Sequence, residues 1–289
     1  MKKTTLILSL LASLAILLSA CSAAAPAAQP TTAPATAAPT LAATAAPTAA
    51  SLTLTDGLGR EVTLAGPAQR IVSLAPSNTE ILFAIGAGKQ VAGRDDISDY
   101  PEEAKSLPTV GGNLGKLNLE AITGLQPDLV LASELNSNEQ VKALEGLKLT
   151  VFYLKNPTDL EGLYANLETV GRLTGRSSEA AALAASLKER VQKVNDAIAK
   201  TTTRPSVFYE IDASDPAKPW TAGPGTFLTS MIQMAGGENI GAGLTSAWAQ
   251  ISQEELLVKN PDIILLGDAA YGITAEQVGK RPAGTRSPR

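Results

Sequence analysis

The chain has 289 residues, 44% of them hydrophobic, with 24 Lys and Arg against 28 Asp and Glu, one Cys and no His. That length holds one large or two modest domains, and the mild acidity argues against a nucleic-acid binder, which would carry a basic stripe. Without His there is no imidazole acid–base chemistry, no Ser-His-Asp triad and no His-ligated metal or haem, and a single Cys excludes an internal disulfide and a thiolate cluster.

Lys2 and Lys3 precede an apolar run over 6–18. The run is too short for a membrane-spanning helix, which needs about 20 residues, and suits the core of a signal peptide. It ends in Leu18-Ser19-Ala20-Cys21, which resembles a bacterial lipobox. The resemblance implies a lipoprotein signal peptide over 1–20, cleavage before Cys21 and lipid on Cys21; the other reading is a plain secretory signal with an incidental Cys. Two or three acyl chains anchor stably where one binds only marginally. Residues 21–51 read as an uncharged Ala/Pro/Thr-rich tether. Its prolines recur too often for a helix and it has almost nothing to bury, so extended chain is expected.

From residue 52 the pattern becomes globular. Strands at 51–55 and 60–64 flank the turn Asp56-Gly57-Leu58-Gly59, a hairpin signal. A buried strand at 70–74 breaks at Ala75-Pro76. Ser77 and Glu80 are spaced as a capping box for the helix that ends at Gly86-Ala87-Gly88. A strand at 90–93, a helix at 117–125, a strand at 127–132, a helix at 140–147 and a strand at 149–153 follow. Strands alternating with such helices imply a parallel sheet covered on both faces.

Leu160, Leu163, Leu167, Val170 and Leu173 keep helical spacing, and Leu183, Leu187, Val191, Val194 and Ile198 resume it after Gly175. One long helical stretch with a break at Gly175 is expected here. A strand at 206–211 then restarts the α/β pattern. The restart is a repeat: 119–132 aligns with 253–266, both helix, Pro-Asp, strand, and 82–93 aligns with 231–242. The organisation expected is an N-terminal lobe at 52–156, a linking helix at 157–201 and a C-terminal lobe at 202–289. The fold class is α/β: two Rossmann-like lobes with parallel sheets joined by one long α-helix.

Five segments carry a family resemblance: 70–86 (Arg70-Ile-Val-Ser-Leu-Ala-Pro-Ser-Asn-Thr-Glu80 onward), Ser98-Asp-Tyr-Pro101, 119–130, Ala235-Gly-Gly-Glu-Asn-Ile240 and Trp248-Ala-Gln-Ile-Ser-Gln-Glu254. Together they resemble the substrate-binding proteins of cobalamin and ferric-siderophore ABC importers, over roughly residues 54–280. The resemblance implies a ligand in the cleft between two lobes, an ABC permease dimer with its ATPase as partner, no cofactor and no catalysis. It also implies docking through one exposed Glu per lobe onto Arg residues of the permease. Glu80 matches the first-lobe position, a role compatible with helix capping. The second-lobe position falls near Gly225, with no acid between Asp215 and Glu238.

Parallel sheets bind ligands beyond the C-terminal ends of their strands. Arg94, Tyr100, Asn113 and Tyr209 lie at such ends, and Trp220 and Trp248 lie in loops beside second-lobe elements. Aromatic faces and a few polar groups suit a large flat ligand. Arg94 would clamp a ligand carboxylate or pair with Asp95 or Asp96; Tyr209 and the two Trp residues would line the cleft or pack structurally. Where cobalamin binders of the family often carry a Trp, this chain has Gly111-Gly-Asn-Leu-Gly115, which leaves a ferric siderophore or other chelate beside a corrinoid. A surface sensor module and a chelatase-like enzyme are the alternative functions. The expected state is a monomer anchored on the extracytoplasmic face of the cell membrane. After 271–278 the apolar pattern stops, and the tail Arg281-Pro-Ala-Gly-Thr-Arg-Ser-Pro-Arg289 lacks the closing strand and helix that lobe one has. A single inserted base in a back-translation of that tail restores an Arg-Pro-Gly-Trp continuation, so a frameshift that truncates the second lobe is expected.

Overall fold

A computed structural model of the chain describes residues 51–112 and 116–281. The signal peptide, Cys21, the tether, Asn113 and the tail after Arg281 lie outside the described residues.

β1 (Leu52–Thr55) and β2 (Glu61–Leu64) form the expected antiparallel hairpin. Asp56 organises its turn, accepting from the backbone N–H of Leu58 and Arg60 at 2.9 and 3.0 Å and from the Arg60 guanidinium. It also accepts from Tyr153 N–H at 3.2 Å, which stitches the hairpin to the first sheet.

That sheet contains β3 (Ile71–Ser73), β4 (Val91–Arg94), β5 (Leu129–Ala132) and β6 (Val151–Tyr153), ordered β4-β3-β5-β6 and parallel throughout. Every residue of β3, β5 and β6 is buried, as continuous apolar strands require when helices cover both faces. On one face α1 (Pro76–Ala84), α4 (Leu160–Thr174) and the first half of α5 (Ser177–Ile198) pack over Ile71, Leu129, Leu131 and Phe152. On the other, α2 (Leu119–Gly124) and α3 (Asn138–Gly146) pack over Val72, Val130 and Val151.

The second sheet contains β7 (Ser206–Asp212), β8 (Trp220–Ala222), β9 (Glu238–Asn239), β10 (Trp248–Gln250) and β11 (Ile263–Leu266). Its order is β10-β8-β7-β11, with β9 also on β7. β7 pairs in parallel with β9 and β11, whereas β8 and β10 are antiparallel additions, so this lobe's sheet is mixed. Its helices are α6 (Phe227–Met234), α7 (Gln253–Lys259) and α8 (Ala275–Gly279).

The sequence repeat is a structural one. Asp128 of the first Pro-Asp accepts from the N–H of Gln69 and Arg70 at 2.7 and 3.0 Å, and Asp262 of the second accepts from Ser206 N–H at 2.8 Å. Each aspartate ties the start of one strand to its neighbour. α1 and α6 stop alike, with Gly86 and Gly236 at φ 75° and 84°, where a side chain would be strained.

Two expectations change. α1 has Ala75 as its N-cap residue with no side-chain cap, so Ser77 and Glu80 form no capping box. Pro76 sets the start instead, its fixed φ suiting the first helical position. The stretch 157–201 is a helical hairpin rather than one helix. Gly175 ends α4 in a left-handed cap, and α5 returns antiparallel, with Lys188 Nζ 4.7 Å above the Tyr164 ring. A Cβ on Gly171 would stand 2.6 Å from that of Ala180, so the close crossing of the two helices requires glycine. α5 alone leads into the second lobe, where Ile198 packs on Gly236.

Candidate functional site

The C-terminal ends of the lobe-one strands open into the loops at 75, 95–100 and 133–136. Arg94, at the end of β4, points inward and is 8% exposed. Its Nε donates to Ala104 O at 2.9 Å, Nη1 to Asp95 O at 2.8 Å and Nη2 to Lys105 O at 3.4 Å. This corrects the expected pairing with the Asp95 or Asp96 carboxylate: three of the guanidinium's N–H donors engage backbone carbonyls instead.

This edge presents Ile97, Tyr100 and Leu135 outward, among the exposed acids Asp96, Asp99 and Glu134. Ile97 is 47% exposed, Tyr100 67% and Leu135 57%. Ile97 and Leu135 escaped the sequence reading, although a single apolar residue inside a polar loop, Asp96-Ile97-Ser98 or Glu134-Leu135-Asn136, is a usable signal. Asn113 lies outside the described residues.

In the second lobe, Tyr209 is half-buried, its ring lying against Gly267 of the neighbouring segment, where a Cβ would stand 2.6 Å from the ring. The two tryptophans are brought together, on strands rather than in loops. Trp220 opens β8 and Trp248 opens β10, and the register pairs Trp248 with Ala222 and Gln250 with Trp220. Facing residues of an antiparallel pair share a side of the sheet, so both indoles lie diagonally on one face, within reach of one ligand. They are 41% and 54% exposed, a large apolar area left uncovered.

Glu80 is exposed on α1, and among the described residues no hydrogen bond or ion pair engages it. Aligning α1 and α6 on their glycine stops, Gly86 and Gly236, places Ser230 opposite Glu80. Ser230 donates to Thr158 O at 3.0 Å.

A separate cavity of about 270 Å³ lies between the second sheet, α7 and α8, lined by Phe208, Leu256, Ile264, Leu266 and Val278. At its wall Arg281 makes a two-pronged bond to the buried Glu210, which raises the Arg281 pKa above its usual value against the opposing effect of burial. None of the sequence-predicted site residues lines this cavity. Among the described residues no group of three or more Asp, Glu or Cys side chains is placed to hold a metal ion, and no helix is long and apolar enough to cross a membrane.

The family model described as periplasmic binding protein matches residues 71–284. A cobalamin-binding protein of Halobacterium salinarum is 34% identical over 228 residues, 78% of this chain and 60% of that protein. The chain thus spans less than two thirds of that relative's length. A Bacillus subtilis ABC transporter substrate-binding lipoprotein, YvrC, is 33% identical over 80% of this chain and 72% of its own. A Vibrio campbellii vitamin B12-binding protein is 31% identical over 75% and 78%. Among solved structures, the periplasmic heme-binding protein RhuT of Roseiflexus sp. RS-1 superposes with TM-score 0.68 at 27% identity, covering 76% of this chain and 85% of that one. The periplasmic vitamin B12-binding protein of Vibrio cholerae gives TM-score 0.64 at 27% identity over the same shares. These relatives are binding proteins by name, and the two-lobed α/β architecture is theirs as well. This chain belongs to the periplasmic binding protein family.

Proposed function

We propose that the chain is the lipid-anchored solute receptor of an ABC importer and captures a ferric siderophore or a cobalamin-like chelate between its lobes. The observation that carries the reading is the exposed indole pair, Trp220 and Trp248, on one face of the antiparallel β8–β10 pair at the edge of the second sheet. Indole faces bind large conjugated rings well, and leaving two uncovered side by side has no packing benefit. Ile97, Tyr100 and Leu135 supply a matching apolar rim in lobe one, with Asn113 and Tyr209 as further ligand contacts. With no His in the chain, a haem ligand would have no imidazole of this protein on its iron.

In this reading residues 1–20 are removed on export, Cys21 carries the lipid, 21–51 is the tether, 52–156 and 202–289 are the two lobes, and the unpaired Glu80 meets the permease. The protein works as a monomer without turnover of its ligand.

The test is a titration of the purified protein with cyanocobalamin, ferrichrome, ferric enterobactin and hemin, followed by tryptophan emission. Saturable quenching by one of them below micromolar concentration is expected, abolished in the Trp220→Ala/Trp248→Ala pair when binding is read by equilibrium dialysis. No saturable binding across this panel sinks the proposal.

A further inference from the structure

We infer that Thr79 and Thr229 are equivalent positioning residues, one per lobe, that lock the two walls of the ligand site before any ligand arrives; the inference rests on the binding reading above. Superposing α1 on α6 by their glycine stops, Gly86 and Gly236, pairs the two: Thr79 lies in the first turn of α1, after β3, and Thr229 in the first turn of α6, after β8. Both side chains are buried, at 0% and 6% exposure, so each hydroxyl needs partners inside the protein.

In lobe one, Thr79 Oγ1 lies 2.8 Å from Ser73 Oγ, 3.0 Å from Ser98 Oγ and 3.2 Å from Ala75 O. Ser98 in turn donates to the buried Asp95 carboxylate, whose other oxygen accepts from Ile97 N–H at 2.9 Å. The chain of bonds runs from the end of β3, through α1, to the loop that presents Ile97 and Tyr100.

In lobe two, Thr229 Oγ1 donates to Gly223 O at 2.6 Å and accepts from Asn239 Nδ2 at 2.7 Å. Asn239 Nδ2 also donates to Ala222 O at 2.8 Å. Gly223 N–H donates to Ala247 O at 2.7 Å, beside Trp248. The crossing leaves no room for a side chain, since a Cβ on Gly223 would stand 2.0 Å from Ser246 O. The ribbon that carries both tryptophans is therefore clamped at Ala222 and Gly223. A slip of either wall would strand a buried donor or acceptor, so both walls are held in one arrangement. A wall already ordered in the free protein spares binding the entropy of ordering it.

The chain has two tryptophans, both on the lobe-two wall, so their emission reports that wall alone. The experiment uses Thr79→Val, Thr229→Val and the two Thr→Ser variants of the full chain. Thr229→Val is expected to raise acrylamide quenching of the ligand-free protein, and Thr79→Val to leave it unchanged. Each Val variant removes every bond of its hydroxyl and is expected to bind the panel chelate about tenfold more weakly through the loosened wall, and each Ser variant to recover. Asn239→Ala cuts the same tie from its other end and serves if Thr229→Val does not fold. Wild-type quenching in folded Thr229→Val, or a loss of affinity that serine does not restore, overturns the positioning role. If the wild type binds nothing in the panel, the receptor reading fails instead, while the quenching comparison still decides whether Thr229 holds the wall.

Discussion

Arg94 and Asp56 are buried charges whose partners are mostly backbone groups, so each supports the fold around it. Replacing Arg94 by Met would leave the carbonyls of Asp95 and Lys105 without this donor, while Ala104 O keeps its bond from Leu107 N–H. We expect a loss of about 2 kcal/mol in urea unfolding, since backbone acceptors at a buried site lose partners together. An undiminished midpoint would return Arg94 to the surface role. For Asp56, burial pushes the carboxyl pKa up, but the Arg60 guanidinium and the N–H groups of Arg60, Leu58 and Tyr153 outweigh it and hold the value below normal. A depressed folded-state pKa gives stability that is complete above the unfolded value, about 3.9, and is lost as pH falls through the folded one. Asp56→Asn should therefore be less stable than wild type at pH 7, with the difference shrinking below about pH 4; a difference constant from pH 7 to pH 3 would contradict this. The sequence placed Arg94 at a strand end correctly. It could not show which way the side chain turns, because Ala104 and Lys105, its acceptors, are ten or so positions away with no pattern linking them.

The helical hairpin shows where periodicity stops being informative. The apolar spacing from Leu160 to Ile198 is the same whether the chain runs straight or folds back, and only Gly175 marks the reversal. The stripe even continues to Val194, which is 46% exposed on the bare second half of α5. Gly171→Val tests the crossing. Its Cβ would press on Ala180 at 2.6 Å, so we expect about 2 kcal/mol of destabilisation from overpacking, read by thermal or urea unfolding. A neutral substitution would mean that the helices do not cross there. The repeated helix–Pro-Asp–strand units, by contrast, were legible because the motif carries its own mechanism, an aspartate that receives the neighbouring strand's N–H groups. β8 and β10, three residues each, were not legible. Such strands are too short to show alternation, and Pro219, Gly223 and Pro224 around β8 read as loop. Of the proposed site, the aromatic residues were nameable from the sequence, but the pairing of the two tryptophans depends on cross-strand register, and the Thr79 and Thr229 ties on contacts with segments distant in the chain.

The two lobes share a plan but not a degree of closure. In lobe one, β5 lies between β3 and β6, and Leu129 and Leu131 are 1% and 0% exposed. Their lobe-two counterparts, Ile263 and Leu265 on β11, are 41% and 42% exposed, and β11 has no second neighbour among the described residues. Strand edges and apolar faces left open in this way lower local stability. Amides of β7 and β11 should exchange hydrogen faster than those of β3 and β5; equal protection would show that lobe two closes by other means. The connection between the lobes leads to the last expectation. α5 has 22 residues, about 33 Å of continuous hydrogen-bonded helix, and its first half is fixed to lobe one through Ala180 and Ala184. Its far end is packed, with Ile198 against Gly236. Bending such a strut sharply would break helix hydrogen bonds, and α5 contains no Pro or Gly at which a kink would form cheaply. If the chain is the receptor proposed above, ligand capture should proceed by small adjustments of its walls, not by a wide hinge. Solution scattering with and without a saturating chelate is expected to give nearly the same radius of gyration, while tryptophan emission changes strongly. A large compaction on binding would mean that α5 yields, and that the walls meet their ligand by closing over it.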